Sequence, residues 1–161
     1  MPSPSKRFRH TPVREYLDHT TPEWVADDAV FFISMNTLPR YENHLCHADR
    51  SAGIVASIKH REELGQWEIL VIVLMHDHLH MLGRFFPPGR MRQIISDWKR
   101  YLSRYYRIPW QRDFFDHRIR NHASFEEKRD YIRMNPVVAG LVDTPEDWPY
   151  LWDWTNPSPQ R

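Results

Sequence analysis

The sequence of 161 residues predicts an α+β fold, an antiparallel sheet with helices packed on it. Short runs of β-branched and aromatic residues alternate with longer stretches of helical periodicity. Gly, Pro and Asn residues separate these segments, as they do in turns. The segments follow the order strand, helix, strand, strand, helix, strand, helix. Its first six members form a split βαββαβ unit, which places four antiparallel strands side by side.

The first half of the chain predicts a strand and a helix. Residues 29–35 are apolar or β-branched at their centre and predict the first strand. Residues 49–64 predict a helix, because Ile54 and Ile58 lie near one face and Gly65 follows as a stop signal.

The next two strands are predicted at residues 67–74 and 78–86. The three residues between them, 75–77, allow two interpretations. They form either a tight turn or the middle of one continuous strand.

The second half predicts two helices and one strand. Residues 91–106 carry apolar side chains at helical spacing, and residues 114–120 predict a fourth strand. The third helix is predicted to be capped by Ser124 and to end at or just before Asn135, because Pro136 follows. The segment from Asp143 onward is predicted to pack as a loop.

These elements predict one ferredoxin-like domain at residues 29–150, with its two helices on one face of the sheet and the additional C-terminal helix against it. A polar and basic N-terminal arm is predicted at residues 1–28 and a tail at residues 151–161.

Composition favours a cytoplasmic protein. Cys46 is the only cysteine, so an intrachain disulfide is excluded and a reducing compartment is expected. The first ten residues are polar and basic, unlike a secretory signal, and no apolar run is long enough to span a bilayer.

The formal net charge of +1 hides a basic segment. Residues 84–133 contain 13 Lys or Arg against 6 Asp or Glu, interleaved with aromatic residues. Arginine outnumbers lysine 18 to 4 in the whole chain, and arginine binds phosphate in bidentate fashion and stacks on bases. The segment favours nucleic acid as a partner. The alternative is an ordinary solvated helix face.

Three histidines, His76, His78 and His80, occupy every second position after the apolar run of residues 71–75. On a continuous strand they would share one face. Imidazole is a common ligand for transition metals, and two histidines would need a third donor from elsewhere. The alternative is that histidines occur on this strand by chance.

Tyr131 and Asn135 are one helical turn apart and therefore share a helix face. A tyrosine hydroxyl has a pKa of about 10, so a nucleophilic tyrosine needs activation, which a nearby cation can supply. The alternative is that Tyr131 packs in the core and Asn135 caps the helix end.

Four segments in this order resemble the single-tyrosine HUH transposases, and within them the REP-associated tyrosine transposases. They are the strand with His78-Leu79-His80, then Trp110–Arg120, Asp130–Val142 and Asp147-Trp148-Pro149-Tyr150. The resemblance covers residues 29–150.

The resemblance implies that His78, His80 and Asn135 bind Mg²⁺ or Mn²⁺ and that Tyr131 is the nucleophile. It implies cleavage of single-stranded DNA through a 5′-phosphotyrosine intermediate, which a free 3′-hydroxyl can later reverse. The family usually has proline and asparagine where His76 and Asp77 stand here, so His76 is assigned to a variant turn rather than to the metal.

The implied partner is single-stranded DNA with a hairpin, as formed by palindromic repeats, and the protein is expected to act as a monomer, with a dimer as the alternative. Such a substrate needs phosphate contacts and stacking platforms. The candidate residues are Arg92, Lys99, Arg100, Arg104, Trp110, Lys6, Arg7 and Arg9.

Two other functions stay open. A ferredoxin-like sheet can bind nucleic acid without cutting it, as a regulator. The three alternating histidines also resemble a histidine-triad nucleotide hydrolase, although Asp77 replaces an apolar residue and 81 residues follow His80.

Overall fold

A computed structural model describes residues 28–156. The strands are β1 (Val30–Asn36), β2 (Trp67–Leu74), β3 (His78–Phe85), β4 (Phe115–Arg118) and β5 (Leu151–Asp153). The helices are α1 (Ala48–Glu63), α2 (Met91–Tyr106) and α3 (His122–Val138). Short 3-10 helices occur at Pro88–Arg90 and Pro145–Asp147.

The strands form one antiparallel sheet in the order β4-β1-β3-β2-β5. The first four strands have the order of the predicted βαββαβ unit, so the predicted α+β fold is confirmed. The predicted bounds of β2 and α2 are those observed. Those of β1 and α1 are shifted by one residue at both ends, and β3 ends one residue earlier than predicted. The predicted fourth strand is longer than β4, which covers only 115–118.

Helices α1 and α2 cover one face of the sheet. Their apolar side chains join those of the strands in one core cluster, in which Trp67 and Trp98 are fully buried and 5.0 Å apart between ring centroids. The indole N–H of Trp98 donates to Ser57 Oγ at 2.8 Å, so its one polar atom is satisfied inside the core.

Helix α3 lies against the other face of the sheet. Ile132 of this helix is buried with Phe32, Val73 and Leu82 in a second, smaller core cluster. The register of β2 shifts between Ile69 and Val71, which is a β-bulge. Buried on both faces, β2 reads as a continuous apolar run instead of an alternating one.

Two predictions about α3 are wrong. The N-cap is Asn121, whose side chain accepts the Ser124 backbone N–H, so Ser124 lies inside the first turn. The helix also continues through Pro136 to its last residue, Val138, and Gly140, which has a φ of 74°, follows the C-cap Ala139. Pro136 lies in the last turn of the helix, where a proline costs only one backbone hydrogen bond and does not end the helix.

The segment from Asp143 onward is more ordered than the predicted loop. It contains the second 3-10 helix and β5, which pairs with β2 at the edge of the sheet. The predicted N-terminal arm, with Lys6, Arg7 and Arg9, lies outside the described residues. Within residues 28–156, no helix is long and apolar enough to cross a membrane.

Candidate active site

The three alternating histidines do not share one strand. A tight turn joins β2 and β3, closed by the Met75 N–H, which donates to the His78 carbonyl at 2.8 Å. His76 lies in this turn, and its ring packs against Trp148 with centroids 5.9 Å apart. His78 and His80 both lie on the α3 face of β3, and their ring centroids are 4.9 Å apart. Of the three imidazoles, His78 and His80 therefore lie side by side, and His76 contacts Trp148 instead.

Asp77 orients the His78 ring. Its Oδ1 is 2.8 Å from His78 Nδ1, and its Oδ2 accepts the Arg40 Nε–H at 3.0 Å and the Tyr41 N–H at 2.8 Å. Burial alone would raise the pKa of Asp77, but the hydrogen bonds from His78 and Tyr41 and the charge of Arg40 hold it below its usual value. A carboxylate only accepts hydrogen bonds, so the shared hydrogen sits on His78 Nδ1, and in the neutral form of the ring the lone pair is then on Nε2.

His80 is a buried, neutral imidazole. His80 is 8% exposed, and its ring stacks on that of Phe32 with centroids 5.5 Å apart. Burial, with smaller contributions from His78 and Lys128, lowers the pKa of His80 to about 3. Within residues 28–156, the Nδ1 of His80 has no hydrogen-bond partner. Such a buried polar atom costs free energy, which indicates a role other than stability.

Tyr131 lies on α3 directly beside His80. Their ring centroids are 5.3 Å apart, and the Tyr131 ring also forms a T-shaped pair with Phe32, with centroids 6.0 Å apart. The tyrosine is 49% exposed, so the alternative of a core tyrosine does not hold. The structure thus brings together two groups that are 51 residues apart in the sequence.

Lys128 adds a positive charge beside Tyr131. Its Nζ lies 4.9 Å from the Phe32 ring centroid and 5.6 Å from that of Tyr131. Lys128 was not among the site residues predicted from the sequence. Its position three residues before Tyr131, hence on the same helix face, was the available signal.

Asn135 lines the same surface depression of α3 as Tyr131 and Lys128. It lies inside the helix, so it does not cap the helix end. The depression is not lined by His78 or His80, so a place for Asn135 beside the two imidazoles stays a prediction. The described part of the chain contains no group of three or more His, Cys, Asp or Glu side chains that could hold a metal ion.

Ion pairs fix α3 on the sheet. Asp153 of β5 lies 2.7 Å from Arg129 Nη2 and 3.0 Å from Arg133 Nη1, one helical turn apart on α3. Burial alone would raise the pKa of Asp153, but hydrogen bonds from Thr155 and Arg129 hold it below its usual value. These pairs hold the turn of α3 that carries Tyr131 against the edge strand β5. Neither Arg129 nor Asp153 was predicted as a site residue, because the two lie 24 residues apart and only the fold brings them together.

Of the basic residues predicted to contact DNA, those that the structure describes lie on α2 and not on α3 beside Tyr131. Arg100 and Arg104 are exposed on α2, which covers the other face of the sheet. Arg92 stacks on Phe114, beside the edge strand β4, at 5.5 Å.

Two of the predicted DNA-contact residues are engaged within the fold. The ammonium group of Lys99 is bonded to the backbone carbonyls of residues 111–113, so it is occupied by the fold. Trp110 is partly buried against the core.

Two curated relatives match part of the chain. A putative REP-associated tyrosine transposase of Haemophilus influenzae is 29% identical over 101 residues, 52% of this chain and 57% of the relative. The REP-associated tyrosine transposase of Escherichia coli is 29% identical over 89 residues, 52% of this chain and 53% of the relative. The chain thus spans little more than half the length of these relatives. No protein-family model matches it.

The fold is similar to that of a solved REP-associated tyrosine transposase bound to a REP hairpin. The TM-score is 0.62 and the sequence identity 25%, and the match covers 81% of this chain and 80% of the solved one. The predicted resemblance to REP-associated tyrosine transposases is confirmed in both sequence and fold.

Proposed function

We propose that this protein is an HUH-type tyrosine transposase, a metal-dependent enzyme that cleaves, and can rejoin, single-stranded DNA next to a hairpin. One observation carries the proposal: the exposed Tyr131 lies against the buried, neutral His80, whose neighbour His78 is oriented by a carboxylate. The relatives named as tyrosine transposases, and the solved one bound to a REP hairpin, support the same reaction and substrate class.

Tyr131 is the proposed nucleophile. Its hydroxyl oxygen forms a bond to the phosphorus of a DNA phosphodiester, and the bond from phosphorus to the 3′-oxygen breaks. The tyrosine proton is lost, the departing 3′-oxygen gains a proton, and a 5′-phosphotyrosine remains. The covalent link conserves the energy of the broken phosphodiester, so the reverse attack by a 3′-hydroxyl rejoins DNA without a nucleotide cofactor.

The residues present fit a divalent cation, Mg²⁺ or Mn²⁺. His80 is neutral, and His78 receives the carboxylate partner that metal-binding histidines typically have. We propose His78 and His80 as ligands, with the amide oxygen of Asn135 as the third. A cation held there would polarise the phosphate under attack. Lys128, beside Tyr131, is placed to offset the charge of the same phosphate.

The hairpin is proposed to contact the arginines of α2 and the basic N-terminal arm. Arg92 is proposed for this role because it lies over Phe114, beside the edge strand β4, where a phosphate of the stem can reach it. Arg100 and Arg104 are candidates for phosphates farther along the stem. We propose that the protein works in the bacterial cytoplasm, as a monomer, and associates with the nucleoid when it binds DNA.

The test is incubation with a labelled single-stranded hairpin oligonucleotide and Mn²⁺, followed by a denaturing gel. We expect a covalent protein–DNA adduct that Tyr131→Phe and a chelator each abolish. Tyr131→Phe removes only the hydroxyl of a half-exposed side chain, so folding and DNA binding should persist. Adduct formation by Tyr131→Phe at the parent level would refute the proposal.

The two other functions fare differently. The histidine-triad alternative loses its geometric basis, since His76 lies in the turn, against Trp148. A non-catalytic regulator would bind the same oligonucleotide without forming an adduct, which the same gel detects.

A further inference from the structure

The loop between β1 and α1 lies against the His78 end of β3. The Thr37 N–H donates to the Asp77 carbonyl at 2.8 Å, and the His44 N–H donates to the His76 carbonyl at 2.7 Å. Asn36, the last residue of β1, pairs with His78. The loop therefore borders the candidate active site although none of its residues belongs to the histidine or tyrosine motifs.

Tyr41 at the tip of this loop is in an unusual state. Its side chain is 94% exposed, and its backbone has a φ of 67°, in the left-handed region that a tyrosine rarely adopts. This conformation costs free energy, and the exposed ring gains almost no burial in return. Strained backbone of this kind concentrates at binding and catalytic sites.

Asp77 holds this conformation. Its Oδ2 accepts both the Tyr41 N–H and the Arg40 Nε–H, while its Oδ1 faces His78. The Arg40 guanidinium carbon lies 6.0 Å from the Tyr41 ring centroid. One buried carboxylate thus links the orientation of a candidate metal ligand to the position of an exposed aromatic ring and a cation.

An exposed aromatic ring beside a guanidinium matches one unpaired nucleotide, whose base stacks on the ring and whose phosphate meets the cation. A paired base within a duplex has no free face for such a ring. The loop borders His78, so a nucleotide bound there would belong to the same strand that meets the histidine pair.

We propose that Tyr41 and Arg40 form a subsite for one unpaired nucleotide of the substrate strand, and that Asp77 keeps this subsite and His78 in a fixed relation. The subsite rests on the proposed function, because it binds the strand that Tyr131 cleaves. It adds a base-stacking position to the loop between β1 and α1.

The test measures affinity for the hairpin oligonucleotide with its single-stranded flank by fluorescence anisotropy, in the Tyr131→Phe background so that no cleavage occurs. Tyr41→Ala should weaken binding about 5- to 50-fold, in keeping with the loss of one stacked base. Tyr41→Phe keeps the ring and should bind within about twofold of the parent.

A second experiment locates the nucleotide that stacks on Tyr41. It uses oligonucleotides with one abasic site, which is moved along the flank. At a single position the abasic site should cost the parent affinity and leave Tyr41→Ala unchanged.

The matched control is Leu64→Ala, which shortens another exposed apolar side chain, at the end of α1 near the far end of the sheet from His78. Its affinity should equal that of the parent, and all variants should share the parent's melting temperature. Tyr41→Ala binding as tightly as the parent with every oligonucleotide would overturn the subsite, while adduct formation by the Tyr131-containing protein would still support the proposed function. No binding and no adduct with any variant would overturn both.

Discussion

The two faces of the sheet are built differently. The face under α1 and α2 packs a continuous apolar cluster, to which α2 alone contributes five buried apolar side chains. The face under α3 has a smaller cluster, to which α3 contributes one fully buried apolar side chain, Ile132. On that face His78, His80 and Tyr131 lie side by side. Stability comes mainly from the first face, which allows the second to hold buried polar atoms that stability alone would not favour.

Helix α3, on the second face, is held to the rest of the fold largely by ion pairs. Asp153 pairs with Arg129 and Arg133, and Arg133 also pairs with Glu146. Such contacts fix the direction in which a helix faces with little need for apolar area. If this comparison is correct, substitutions on the two faces should separate stability from activity.

The largest expected effect is on activity, from His80→Leu on the α3 face. Removing a metal ligand should reduce adduct formation about a thousandfold, since a cation contributes several kcal/mol to such a reaction. The melting temperature should stay the same or rise, because leucine removes a buried nitrogen with no partner among residues 28–156. Adduct assays measure the effect on activity, and calorimetry measures the melting temperature.

The matched control is His117→Leu. His117 is an exposed histidine on β4 that pairs with Phe32. A stable His80→Leu protein with full activity would contradict the prediction.

Trp98→Ala should have the opposite profile. Trp98 is fully buried under α2, so truncation should lower the free energy of unfolding by about 3 kcal/mol or more. Adduct formation per folded molecule, measured well below the melting temperature, should stay close to that of the parent. Trp154→Ala, which removes a tryptophan that is partly exposed, should change stability little. A Trp98→Ala protein that stays fully stable would show that this face is not the main core.

Asp153→Asn should lower the free energy of unfolding by about 2 kcal/mol at neutral pH, because it uncouples two arginines from a buried carboxylate. The folded-state pKa of Asp153 is below its ordinary value, so its contribution is complete above about pH 4 and is lost as pH falls through the folded-state pKa. Urea unfolding at pH 7 and near pH 3 should therefore show a gap between parent and variant that narrows in acid.

Glu146→Gln is the control for this pair, since it removes the exposed partner of Arg133 and should cost well under 1 kcal/mol. A gap between the parent and Asp153→Asn that is unchanged in acid would contradict the assigned ion pairs.

The smallest effect is expected from His76→Ala. This histidine lies in the turn against Trp148, away from the His78 and His80 rings. Mn²⁺ affinity, measured by calorimetry, should change less than about twofold. A loss comparable to that of His78→Ala would place His76 among the metal ligands.

The sequence predicted the first face of the sheet well. Runs such as residues 67–74 and the periodicity of 91–106 depend on local burial patterns, which the sequence displays directly. The end of α3 was predicted wrongly because a proline near a helix terminus costs one hydrogen bond, which packing outweighs at Pro136. β5 was missed because three residues at a sheet edge carry too little pattern.

For the candidate site, the sequence supplied the residue types but not their contacts. It singled out His78, His80 and Tyr131, whereas the roles of Lys128 and Asp153 depend on packing between distant segments. The left-handed backbone of Tyr41 has no sequence signal at all, since tyrosine does not favour that region.

The most direct test of the central claim, that Tyr131 and the histidine pair act as one site, is to map the covalent bond. The protein–DNA adduct formed with Mn²⁺ is digested with protease and nuclease, and the modified peptide is sequenced by mass spectrometry. We predict a 5′-phosphonucleotide on Tyr131, in the peptide that contains Tyr131-Ile132, and none after His80→Leu. A nucleotide found on any other residue, or an undiminished adduct in His80→Leu, would contradict the account.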